Sequence, residues 1–159
     1  MAGYNDRRNA ENAFKAFCDM LDDRQWNYDK DDEKLVIESG ATGDDLAIEF
    51  RVTFSEEKQL VTILSRLPFT VPEDKKVLVA VALAATNYPL VNGNFDFGLN
   101  TGSIIFRATT SFRDSLIGKD AYEYLLGIVL KTVDEYNDKL LALIKNTITL
   151  EDYLNLVKE

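Results

Sequence analysis

The chain has 159 residues, with 18 Lys plus Arg against 27 Asp plus Glu, no histidine and a formal net charge of −9. That length suits one domain with one sizeable core. The charge argues against sequence-independent nucleic-acid binding, which needs clustered cations, and against docking on anionic membranes. The lack of histidine removes His-based triads, His metal sites and the commonest general base.

The one cysteine, Cys18, cannot form an intrachain disulfide and fits a reducing compartment. The N-terminal MAGYNDRRNAENAF has no apolar signal core and no glycine in second position. The longest apolar run, Val77 to Ala85, falls far below the ~20 residues of a membrane span. A soluble cytoplasmic protein is expected, with no membrane and no nucleic-acid partner.

In chain order, the first expected element is a helix from about Asp6 to Arg24. Its apolar residues Ala10, Ala13, Phe14, Phe17 and Met20 or Leu21 recur at helical spacing, and Asn5 or Asp6 can cap it. Gln25 to Tyr28 suits a short strand, and Asp29 to Glu33 a charged turn. Lys34 to Ser39 suits a second strand, ended by Gly40 and Gly43. Asp45 to Phe54 alternates Leu46, Ile48, Phe50, Val52 and Phe54, the clearest half-buried strand pattern in the chain. Lys58 to Leu67 runs back from it.

Pro68 to Pro72 is expected as a loop. Pro72 then opens a helix, with Glu73 and Asp74 favourable at its positive end, and Pro89 stops it near Asn87. Gly93 to Phe112 (GNFDFGLNTGSIIFRATTSF) is two alternating runs about a turn at Leu99 to Gly102. A four-residue loop sets Phe97 opposite Ile104 and Phe95 opposite Phe106, all facing the core. Asn94, Asp96, Ile105 and Arg107 take the other face, with Arg107 diagonal to Asp96 and within reach of a cross-strand ion pair.

A long helix is expected from about Gly118 to Lys145, with Tyr122, Leu125, Val129, Val133, Tyr136, Leu140 and Leu143 on one stripe. Thr149 and Asp152 suggest a capping box for a final helix, Leu150 to Val157. The order is α-β-β-β-β-α-β-β-α. This is an α+β domain: an antiparallel β-sheet with helices packed across it. One domain, 1–159, carries a short C-terminal helical extension at about 149–158.

GNFDFGLNTGSIIFR resembles the signature of the YbjN-like family of bacterial sensory transduction regulators. The matching positions are Asn87, Gly93, Phe95, Phe97, Gly102, Ile104, Phe106 and Arg107. Val133 to Leu143 is similar to that family's closing helix. Gly98 departs from the pattern, where an acidic residue is usual. The resemblance implies the fold of the type III secretion chaperones, which are small, acidic and homodimeric. It carries no catalytic residues.

No catalytic, metal-binding or cofactor-binding residues are expected. Cys18 suits a packed position. DKDDEKLVIESG starts like a calcium loop but puts Lys34 where the turn glycine belongs and Gly40 where the bidentate Glu belongs. Gly93, Gly98 and Gly102 match neither dinucleotide-binding nor P-loop spacing. The pairs Asp22/Asp23 and Asp44/Asp45 adjoin helix ends and turns, where solvation explains them. Phe50, Phe54, Phe95, Phe97 and Phe106 are core candidates.

The expected function is non-enzymatic: a chaperone-like or regulatory module that binds a segment of an unidentified protein on its sheet face or edge. The alternative is a small-molecule or enzymatic pocket between the sheet and the long helix, using Arg107, Asp96 and one of Tyr122, Tyr124 or Tyr136. The middle helix is apolar all round. Val77, Val81, Ala84 and Tyr88 are expected to meet the sheet. Val79, Leu83 and Thr86 lie opposite, and Val79 and Leu83 are the expected contact of a homodimer. The competing expectation has the long helix or the tail after Thr149 cover them.

Overall fold

A computed structural model describes residues 4–158. Residues 1–3 and 159 of the expected domain lie outside the described residues. The elements are α1 (Tyr4–Asp23), β1 (Asp29–Asp31), β2 (Val36–Thr42), β3 (Ala47–Ser55), β4 (Leu60–Thr70), α2 (Lys76–Asn87), β5 (Asn94–Gly98), β6 (Ser103–Ser111), α3 (Lys119–Ile144) and α4 (Leu150–Leu156). The sheet is antiparallel throughout, in the order β1-β2-β3-β4-β6-β5. The helices gather on one face of it, and their apolar sides join the inner strand positions in one core. This is the expected α+β architecture.

Inner strand positions alternate with outer ones. Ile48, Phe50, Val52 and Phe54 of β3 and Val61, Ile63 and Leu67 of β4 are buried. Phe17 packs between Phe54 and Tyr122, so α1 and α3 meet the sheet at one aromatic cluster. Every residue of the expected α3 stripe is buried. The Thr149–Asp152 capping box is present, and hydrogen bonds from Thr149 hold the Asp152 carboxyl below its usual range.

Several expectations fail. Gln25 to Tyr28 is not a strand. Gln25 takes a left-handed φ of 54°, Trp26 N–H donates to Leu21 O and Gln25 N–H to Asp22 O. This two-bond cap ends α1 and uses the segment up. The first strand is Asp29–Asp31, inside the expected turn. Gly40 does not end β2, which runs on to Thr42. Pro68 to Thr70 belongs to β4 rather than a loop, because the β4–β6 register shifts between Arg66 and Thr70, and a bulge tolerates a proline.

The last concerns α2. Val79, Leu83 and Thr86 are buried within the subunit, while Val77 is 80% exposed, Val81 46% and Tyr88 93%. The expected faces are exchanged. The inner face packs on α3 and α4, and Tyr153 of α4 donates to Thr86 Oγ1 at 2.6 Å while Thr86 donates to Ala82 O. Val79 and Leu83 therefore cannot be the contact between two copies. The helical period was legible, but with both faces apolar its phase was not.

Candidate functional site

The hairpin holds the register expected of it. Phe95 pairs with Phe106 and Phe97 with Ile104, and Asp96 and Arg107 join on the outer face at 3.0 Å. Phe95, Ile104 and Phe106 are buried, and Phe97 is half-buried at the sheet edge. Gly102 has φ 71°, and a Cβ there would stand 2.4 Å from Val71 O. Gly93 has φ 81°, and a Cβ would stand 2.6 Å from the Phe106 ring. Both glycines are steric requirements of the hairpin.

Asn87 closes the edge of the sheet. From the last turn of α2 its Nδ2 donates to Phe95 O at 2.9 Å, and its Oδ1 accepts from Phe95 N–H at 2.7 Å. One side chain thus satisfies the outward backbone pair of the edge strand, as a neighbouring strand would. The opposite edge, β1, is three residues long and acidic at both ends. Short, charged or covered edges resist strand addition.

Among the described residues no helix covers the outer face of the sheet. Aligned positions across the strands form one transverse row, Asp29–Glu38–Arg51–Leu64–Arg107–Asn94. Beside it, Arg66 pairs with Ile105 and Ile105 with Asp96. Leu64 and Ile105 are half-buried at the centre, among charges. They floor a shallow depression of about 580 Å³ that also touches Glu38, Glu49, Arg51 and Arg66. Glu38 and Arg51 pair across it at 2.7 Å.

Sequence reasoning placed Ile105 on this face and expected a sheet-face site, but it missed Leu64, Glu49, Arg51 and Arg66. The signal was present as adjacent apolar residues, Ile63–Leu64 in β4 and Ile104–Ile105–Phe106 in β6. Such a pair puts an apolar side chain on both faces.

The alternative pocket between sheet and long helix does not form. Arg107 and Asp96 lie on the outer face, Tyr122 is fully buried beside Phe17, Tyr136 is buried against Phe95, and Tyr124 is exposed. The space between them is filled by core side chains.

A second hollow, about 470 Å³, lies between α1 and the β1–β2 turn beside Cys18 and Tyr28. Its charges are mutually paired: Lys15 with Asp19, Lys30 with Asp32, Arg7 with Glu11. Burial pushes the Cys18 thiol up, and a Tyr28 hydrogen bond and nearby Lys30, unforeseen from sequence, offset that only in part. Asp22 accepts from Tyr28 Oη, and Asp23 pairs with Lys119. Asp31 accepts from the Glu33 and Lys34 N–H groups, so the calcium-like loop is a self-capped turn. Among the described residues no His/Cys/Asp/Glu cluster could hold a metal, and no helix is long and apolar enough to cross a membrane.

The fold is that of the type III secretion chaperones. The crystal structure of YbjN, a putative transcription regulator from E. coli, is similar with TM-score 0.60 at 10% identity, covering 84% of this chain and 92% of that one. The ExsC–ExsE complex is similar with TM-score 0.54 at 11% identity, covering 80% and 92%. The HopA1–SchA chaperone–effector complex is similar with TM-score 0.56 at 10% identity, covering 80% and 95%. No curated protein sequence matches the chain. The sequence matches the family described as "Putative bacterial sensory transduction regulator" over residues 14–142, from mid-α1 almost to the end of α3, and so the chain belongs to the YbjN family.

Proposed function

We propose that the protein is a non-enzymatic interaction module, chaperone-like or regulatory, that works in the cytoplasm as a homodimer. In this reading it binds an extended segment of another protein on the outer face of its sheet. The observation that carries the reading is that bare face, with the apolar pair Leu64 and Ile105 at its centre and charged residues around them. Apolar centres with polar rims are the anatomy of protein interfaces. The face is preferred to an edge because Asn87 occupies the β5 edge and β1 is too short to template a strand. Two of the similar folds are seen in complex with a protein, one as a chaperone–effector complex.

The homodimer reading rests on the exposed side of α2. Two copies of a chain with net charge −9 repel each other, yet Val77 to Phe95 contains no Asp, Glu, Lys or Arg. Val77, Val81, Tyr88 and Val91 stand exposed within that uncharged stretch. A second copy using the same face would cover them without bringing like charges together.

The test compares variants of the full chain in capture from the native cytoplasm at physiological salt. Leu64→Glu with Ile105→Glu should abolish recovery of proteins that the unmodified chain retains, with the melting temperature unchanged. Equal recovery by the folded double variant would refute the sheet-face reading.

A further inference from the structure

β3 and β4 pair from Ser55–Leu60 to Arg51–Leu64, and their ladder stops there. β3 continues through Ala47–Phe50 beside β2, and β4 continues past its bulge beside β6. A bulge bends its strand and breaks local pairing. The strands part, and Ser65 Oγ, donating to Glu49 O at 2.7 Å, spans the opening. A hollow of about 340 Å³ fills the notch, lined by Ala47, Glu49, Arg66, Leu67, Pro68 and Phe69 with Thr70. It shares Glu49 and Arg66 with the depression over Leu64 and Ile105, so the two adjoin along one trough.

The charges of the trough differ in their commitments. Arg51 is held by Glu38, and Arg107 by Asp96. Among the described residues, Arg66, Glu49 and Asp29 of the lining have no ion-pair partner. Arg66 spends one N–H on Ser103 Oγ at 2.6 Å, and its guanidinium otherwise stands exposed. Leu64 and Arg66 are two residues apart on β4, so their side chains leave the same face ~6.6 Å apart.

We propose that this trough takes an extended peptide segment of the partner in which an apolar residue and an acidic residue lie two positions apart. The apolar side chain rests on Leu64 and Ile105. The carboxylate takes the fork of N–H donors on Arg66, which suits a planar carboxylate better than lysine would. Glu49, on the opposite wall, repels a second acid and favours a basic residue on the β3 side. Charge complementarity supports this occupant: of the two arginines that line the trough, Arg66 is the one without an ion-pair partner among the described residues, and it sits beside the apolar floor. Arginine beside an apolar anchor is also a frequent composition of binding hot spots. The inference rests on the sheet-face reading above.

The probe is a displayed library of random dodecapeptides, selected on the immobilised full chain. The best binders are then measured by fluorescence anisotropy. Enrichment of an acid two positions from an apolar residue is expected. Arg66→Glu should weaken such a peptide by about 10-fold or more, and exchanging the peptide's acid for lysine should restore binding to that variant. Arg66→Gln, with a melting curve as control, guards against a folding artefact. Binders that are lost in Leu64→Glu but lack the acid and ignore Arg66→Glu would overturn the acid anchor and leave the sheet-face reading standing. Binders indifferent to both variants, or no binders above background, would overturn the sheet-face reading together with this one.

Discussion

Asn87→Ala is the sharpest test of how the sheet edge is closed. The side chain makes two hydrogen bonds to the backbone of Phe95, at 2.9 and 2.7 Å. Phe95 is only 3% exposed, so water reaches its freed N–H and C=O poorly. Each bond contributes ~0.5–1.5 kcal/mol, and each buried group left unpaired costs ~1–3 kcal/mol. Allowing for some water entry at an edge, the loss should be about 2–4 kcal/mol. In a domain of this size that lowers the melting temperature by roughly 5–15 °C. Asn87→Asp keeps the acceptor for Phe95 N–H but turns a carboxylate oxygen toward Phe95 O. It should be no better than alanine at neutral pH and should recover as pH falls toward ~4, where a protonated carboxyl can donate. Urea unfolding gives the free energy, and amide hydrogen exchange over Phe95 to Phe97 reports the edge directly. An alanine variant within ~0.5 kcal/mol of the parent, with exchange at Phe95 unchanged, would refute the reasoning.

Three further predictions concern packing, pH and assembly. Phe106→Ala, at a fully buried site, should cost about 3–5 kcal/mol in urea unfolding, whereas Phe97→Ala, half-buried at the edge, should cost about half as much. Burial pushes the Tyr153 phenol up to about 12, above its usual ~10, so the unfolded chain loses this proton first. Stability is therefore full below pH ~10 and falls as pH rises from there toward 12. Tyr153→Phe should flatten that fall and cost about 1 kcal/mol near neutrality. Val81→Glu should give a folded monomer in sedimentation at micromolar concentration where the parent is dimeric; Leu83→Glu, in the core, should instead fail to fold, and a monomeric parent would sink the dimer reading.

Regular patterning was legible in the sequence, and the exceptions to it were not. Alternation located β3, the helical stripe of α3 was right at each position, and loop length set the β5–β6 register. Chain reversals were harder, because the left-handed residues at three of them are not glycine. Gln25, Leu35 and Gln59 have φ of 54°, 53° and 54°, and a non-glycine side chain gives no warning of that conformation. Proline read as a loop marker at Pro68, where a bulge absorbs it. The phase of α2 was undetermined because its two faces differ little in polarity; what decides it is Tyr153, nearly seventy residues away, reaching Thr86. The edge role of Asn87 depends likewise on a backbone contact that no spacing rule anticipates.

The signature positions explain why the family match carries a fold further than it carries a partner. Asn87 fixes the edge strand, Gly93 and Gly102 admit close backbone approaches, and Phe95, Phe97, Ile104 and Phe106 fill the inner face. Arg107 alone among them points outward, and Asp96 already holds it. These residues build and close the hairpin, and their side chains leave the middle of the outer face untouched. The groups that would meet a ligand there, Leu64, Arg66, Ile105 and Glu49, lie outside the signature. Another chain could keep every signature residue, fold the same way and present different chemistry in the trough. Exchanging those four residues between two such chains should therefore exchange their partners while leaving both folds intact.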